Sequence, residues 1–154
     1  MARRENVRQP IIVTHQGGVR FAAQVRSHRV FVDQPVHAGG DDTALSPIEL
    51  LGASLGTCIA LYVKQFCLVR GLPYEGMRVE VETVAIANPN RIGRFIARVV
   101  LPMELPRQYA DMIERVVRSC PAHNTLARGA EMTVSVETAL RPDPYVLVET
   151  VDSR

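Results

Sequence analysis

Between Leu50 and Val63 the chain carries no charged residue. This uncharged run of 14 residues, LLGASLGTCIALYV, falls short of the ~20 that span a bilayer. Helix signals frame it. Ser46 suits an N-cap, Pro47 fits the first helical position, and Glu49 follows three residues after the cap, which makes a capping box. Gly71 supplies a stop and Pro73 prevents a restart. The signals predict a helix of about 25 residues. A helix that is apolar on every side is buried on every side. Gly52, Gly56 and Ala60 recur at every fourth position, a smooth stripe that lets another backbone come close. A chain of 154 residues has little material to wrap such a helix. A second copy of the chain is the expected cover, giving an obligate homodimer with these helices near its centre; a monomer that covers the helix with its own sheet is the alternative.

The flanking segments alternate in polarity. IIVTH, VRFAAQV and HRVFVDQ read as strands, with Gly17-Gly18 as a tight turn between the first two. PVHAGGDDTAL is a loop. After the helix, MRVEVETVAIA and RIGRFIARVVL form a hairpin around Asn88-Pro89-Asn90. Pro106 opens a second helix with Tyr109, Met112, Ile113, Val116 and Val117 on one face. Pro121 kinks or ends it just after Cys120, and a short turn follows. EMTVSVETAL reads as a last strand, and RPDPYVLVETVDSR as a tail that adds an edge strand or wraps a partner. The order β-β-β-α-β-β-α-β, with neighbours mostly hairpin-linked, predicts a mainly antiparallel α+β fold.

Composition excludes several classes. Aromatic residues make up 5% of the chain and Trp is absent, too little for a base-stacking platform. The basic residues are interleaved with acids at a net charge of +2, so no nucleic-acid footprint forms. The basic start ARRENVR has no apolar run behind it and reads as a solvated tail rather than a signal peptide. With no membrane span and no export signal, a cytoplasmic location is expected. Cys58, Cys67 and Cys120 are too few and too scattered for a disulfide framework, and no spacing suggests a metal site or a cofactor.

In a reducing compartment these cysteines are core filler or reactive thiols. Cys120 sits where a helix breaks at Pro121, and can cap the turn that follows; free backbone N–H groups there favour a thiolate. Glu49 is the ionisable group at the head of the apolar helix. It lies nine residues before Cys58, which places it on the opposite face and ~13 Å away along the axis. Glu49 therefore cannot touch the Cys58 of its own helix, and cooperation requires the thiol of another subunit. The same arithmetic separates Cys67 from Cys58, so Cys67 reads as packing. His123, three residues after Cys120, either tunes that thiol or contacts substrate, or is an exposed turn histidine.

SPIELLGASLGTC, a helix running to a hairpin, and the later SCPAHNTL together resemble the OsmC/Ohr superfamily. The resemblance covers about residues 10 to 138 and makes residues 1–154 a single domain with a tail at 140–154. It implies an intertwined homodimer with sheets outside two buried helices. It implies a thiol peroxidase in which Cys58 attacks an organic hydroperoxide and Cys120 resolves the product as a disulfide. An external dithiol, in the peroxidase branch a protein-bound lipoyl group, then restores the thiols. The family glutamate falls on Glu49. The family arginine follows a Gly-Gly pair; here the text is Gly17-Gly18-Val19-Arg20, one residue longer, so Arg20 is the candidate, with Arg26 and Arg29 as alternatives. Ile59 stands directly after the first cysteine, where the peroxidase branches tend to carry an aromatic. Two other readings stay open: a non-catalytic dimer that binds an apolar ligand at its interface, and a thiol-dependent reaction on another electrophile.

Overall fold

The structure, a computed structural model, describes residues 8–137. Most of the basic start, the end of the expected last strand and the tail at 140–154 lie outside the described residues.

β1 (Ile12–His15), β2 (Phe21–Val25) and β3 (His28–Val32) form an antiparallel sheet in that order. Gly17 and Gly18 turn the chain with φ of 101° and 53°, and the Arg20 N–H donates to the Gly17 carbonyl at 3.0 Å. Left-handed φ is what glycine tolerates without a Cβ penalty. The β2–β3 turn instead places Arg26 at φ 54°. The pairing Phe21↔Val32, Ala23↔Val30 and Val13↔Ala23 puts Val13, Phe21, Val30 and Val32 on one face. Arg20, Ala22, Arg29 and Phe31 share the other, because side chains alternate along a strand.

The loop that follows is pinned by one side chain. Asp33 is buried. Its Oδ2 accepts from the Asp41 and Thr43 N–H groups and from the Thr43 hydroxyl, and its Oδ1 accepts from the Gln34 N–H. The Thr43 N–H and hydroxyl lead in holding its carboxyl at about 2, below the usual 3.8. The Asp33 N–H donates to the Leu45 carbonyl, so the loop closes and delivers the chain to Ser46.

There α1 (Pro47–Val69) begins with the expected capping box. Ser46 Oγ accepts from the Glu49 N–H at 3.3 Å, and Glu49 Oε2 accepts from the Ser46 N–H at 2.7 Å and from its hydroxyl at 2.8 Å. At the other end the N–H groups of Arg70 and Leu72 both reach the Cys67 carbonyl, and Gly71 takes φ 64°. One face of α1 is buried: Gly52, Leu55, Gly56, Ile59, Val63, Phe66 and Cys67.

β4 (Arg78–Ile86) and β5 (Arg91–Val100) form a separate antiparallel hairpin whose Val79, Val81, Phe95 and Val99 lie against that face. The glycine stripe is therefore used within the chain. A Cβ on Gly56 would sit 3.1 Å from Val81 Cγ2. This differs from the expected role of the stripe, which was to receive a second copy. α2 (Arg107–Val117) packs the residues its periodicity selected: Tyr109, Met112, Ile113, Val116 and Val117 all join the core.

Two further differences from the sequence reading have physical causes. Proline at the first position and a glycine stop let the segment after Cys120 close into α3 (Pro121–Arg128) rather than a short turn. Residues 131–137 form no ladder, although Met132, Val134 and Val136 alternate as expected; all three are nearly fully exposed. Alternation makes a strand only where an edge is available to pair with.

Nor is α1 covered all round. Leu51, Leu61 and Leu68 stay 39%, 51% and 60% exposed. α1 is long and apolar enough to cross a membrane, but its Gly52–Cys67 face is packed against β4, β5, α2 and α3. The β1–β3 sheet makes no comparable contact with α1.

Replacing Ser46 with Ala is expected to cost about 1 kcal/mol, read from urea unfolding. The low carboxyl pKa of Asp33 means that its bonds stabilise the fold above about pH 4 and are lost as pH falls toward 2. Asp33→Asn should flatten the acid limb of the unfolding profile over that window.

Candidate thiol site

Cys58 comes from the middle of α1 and Cys120 from the break before α3, and the fold sets them side by side. The Cys58 thiol is within hydrogen-bonding reach of the Cys120 sulfur. Both are free thiols, Cys58 half-buried and Cys120 fully buried. Two local features position Cys120. The Cys120 N–H donates to the Val117 carbonyl at 3.0 Å, finishing α2 in a tight turn. Pro121 then fixes Cys120 in an extended conformation as the N-cap of α3.

The electrostatics of Cys120 are a contest. Burial pushes its pKa above the usual 9, and the hydrogen bond with Cys58 adds to the rise. The backbone N–H groups of His123 and Ala122, at the start of α3, pull the other way. The rise wins, so the balance at Cys120 favours the protonated thiol over the thiolate. Cys67 is fully buried nine residues further along α1, and burial raises its pKa too, against the smaller pull of Arg70. It packs in the core with Phe66 and Ile113, as the helical arithmetic required.

Glu49 does not join the thiols of its own chain. It faces a cavity of about 460 Å³ together with Gly52, Gly56 and Val81, on the side of α1 turned to β4. Its bonds to Ser46, the backbone N–H first, hold its carboxyl below the usual range. Its Oε1 takes no part in the capping box. Arg20 is likewise apart. It shares the polar face of the N-terminal sheet with Arg29, and both guanidinium groups lie over the Phe31 ring, at 5.7 and 4.7 Å from its centroid. Arg29 also donates to Gln16 Oε1 at 3.0 Å, whereas Arg20 Nε is buried and has no partner among the described residues. Arg26 sits at the hairpin tip. None of the three is among the groups that act on Cys120.

Sequence reasoning left His123 between two roles. Its backbone N–H acts on Cys120, and its ring Nδ1 is buried without a partner among the described residues. The organising role of Asp33 went unseen; the available signal was a lone acid just before a Gly-Gly loop with a Thr at its far side.

Comparison with known proteins gives three findings. A model of the family described as OsmC-like protein matches residues 39–135. No curated protein sequence matches the chain. Several solved structures share its fold. An osmotic stress induced and detoxification response protein from Psychrobacter arcticus is 23% identical, with a TM-score of 0.71 over 79% of this chain and 90% of that one. An OsmC-like protein from Mycoplasma pneumoniae is 17% identical, with a TM-score of 0.63 over 80% and 89%. An organic hydroperoxide resistance protein from Legionella pneumophila is 18% identical, with a TM-score of 0.56 over 80% and 93%.

Exposure orders the expected thiol reactivity. Alkylation of the native chain at pH 8, followed by peptide mass spectrometry, should modify Cys58 first, with Cys120 and Cys67 slower by an order of magnitude or more.

Proposed function

Because the chain belongs to the OsmC-like protein family, we propose that it is a thiol peroxidase that reduces organic hydroperoxides to alcohols. The observation that carries this reading is the pair of adjacent free sulfurs, one reachable from outside and one sealed. The names of the Legionella relative and of an Elizabethkingia anophelis protein, both organic hydroperoxide resistance proteins, support the substrate class.

The reaction divides between the two cysteines. The Cys58 thiolate attacks the distal oxygen of the hydroperoxide. The O–O bond breaks, the alkoxide takes a proton and leaves as alcohol, and Cys58 becomes a sulfenic acid. Cys120, as thiolate, attacks the Cys58 sulfur and displaces hydroxide, which leaves as water. The product is a disulfide, which needs Cα atoms about 4.4–6.8 Å apart. A dithiol, for which a protein-bound lipoyl group is suited, returns both thiols by exchange, supplying two electrons and two protons and leaving as its own cyclic disulfide. Burial that raises the Cys120 thiol keeps it from competing for peroxide, and the N–H groups of Ala122 and His123 assist it when its turn comes.

We place this chemistry in a homodimer in the cytoplasm. Among the described residues of one chain, the exposed face of α1, the apolar face of the β1–β3 sheet and the unpaired residues 131–137 all lack cover. Glu49 and Arg20 then serve the thiols of the opposite copy. Their separation from Cys58 within one chain and the buried Nε of Arg20, without a partner among the described residues, support that assignment.

One equivalent of cumene hydroperoxide should remove two thiols per chain and create one Cys58–Cys120 disulfide. Cys58→Ser should abolish turnover with a dithiol reductant, and Cys120→Ser should allow one turnover and then stall. Equal activity in wild type and Cys58→Ser would discard the peroxidase in favour of a ligand-binding role. Sedimentation should give twice the chain mass of 17.0 kDa; a monomer at micromolar concentration would remove the dimer.

A further inference from the structure

One edge of the β4–β5 hairpin runs along a groove. Two cavities, of about 650 and 410 Å³, share Ile59, Ala97, Val117 and His123 and so form one groove. Residues 97–101 line the first without a gap, and residues 91–95 line the second. Side chains of a strand alternate between its two faces. A cavity that touches every residue in turn therefore follows the backbone edge. β5 pairs with β4 and with no other strand among the described residues. Its other edge, ten residues long, presents N–H and C=O groups without ladder partners.

Register divides the surroundings of that edge. Phe95, Ala97 and Val99 turn to the helices, and the small side chain of Ala97 leaves a slot between its larger neighbours. Arg94, Ile96 and Arg98 turn to the opposite, solvent face. Arg98 is held by Glu80 at 3.2 Å, and Arg94 has no acidic partner among the described residues. An extended segment entering here would complete the ladder with its backbone and fill the slot with alternate side chains.

The chain carries such a segment beyond its described residues. Tyr145-Val146-Leu147-Val148-Glu149-Thr150-Val151 follows Pro142 and Pro144, whose missing N–H groups stop a ladder from extending upstream of Tyr145. Residues 128–144 lead to it from Ala127, which lines the groove. Extended, they span ~55 Å, against ~33 Å for the whole of β5. With Val146 and Val148 in the slot, Tyr145, Leu147 and Glu149 stand on the solvent face. Leu147 opposite Ile96 then puts Glu149 beside one of Arg94 and Arg98 and Tyr145 beside the other, in either strand direction. The reverse parity would bury the Glu149 carboxylate against Val99 and Ile113, at a high desolvation cost. Residues 131–137 match the same edge less well, because with Met132, Val134 and Val136 in the slot a Thr or Ser falls opposite Ile96.

We propose that residues 145–151 add to the open edge of β5 in their own chain as a third strand. The site needs neither thiol and no redox step. An edge covered in this way is also closed to pairing with other chains.

Two measurements on the full chain test this, both in a Cys58→Ser, Cys120→Ser background so that the peroxidase reading has no bearing on them. In the first, Ile96→Cys is combined with Leu147→Cys, or with Val148→Cys as the wrong-parity control. Under mild oxidation the Leu147→Cys pair should close a disulfide within one chain at least ~tenfold faster than the control. In the second, amide exchange is followed by NMR. The N–H groups on the open edge of β5 should exchange at least ~tenfold more slowly than in a Val146→Asp, Val148→Asp variant. Those bonded to β4 should be equal in the two, which shows that the hairpin stays folded. Four outcomes overturn the proposal. The edge N–H groups exchange freely in the full chain. Their protection survives both aspartates, which would assign the edge to another segment such as 131–137. The two cysteine pairs close at equal rates. Or the disulfide joins two chains, which would assign the edge to a second copy.

Discussion

The seating of α1 on β4 governs the rest of the molecule. Gly56 brings the helix close enough that a single added carbon would press on Val81. That contact fixes the rotation of α1 about its axis, and rotation decides which side chains face which partner. With Gly52, Gly56 and Val63 turned to the core, Cys58 is carried to the edge of the buried face, where the cap of α3 meets it. Glu49 is carried by the same rotation to the β4 side. A helix turned by one residue, about 100°, would present neither thiol to the other.

The second half of the site depends on a deliberate interruption. α2 and α3 would read as one helix but for Pro121, and the break leaves Cys120 as the residue whose sulfur meets newly opened N–H groups. Burial and an adjacent thiol work against ionisation there, and the start of α3 works for it. A sulfur so placed is slow to react alone and well situated to react second.

Much of this was legible in the residues. The capping box at Ser46, the glycine stop at Gly71, all five core positions of α2 and the opposite placement of Glu49 and Cys58 follow from helical periodicity, a local property. The hairpins around Gly17-Gly18 and Asn88-Pro89 were equally local. What periodicity could not give was the partner of each face. The stripe at Gly52, Gly56 and Ala60 announces close approach without naming what approaches, and the structure assigns β4 of the same chain. Met132, Val134 and Val136 alternate whether or not an edge awaits them. Spacing from a glycine pair singles out Arg20. Its face of the sheet depends on the register with β3, and one residue of slip reverses that face.

A sheet with a bare apolar side has a history as well as a shape. Val13, Phe21 and Val30 emerge early in synthesis, before α1 exists to organise anything, and α1 when formed turns its back on them. The arm therefore keeps an apolar face open to water, with Val13, Phe21 and Val30 each at least 40% exposed.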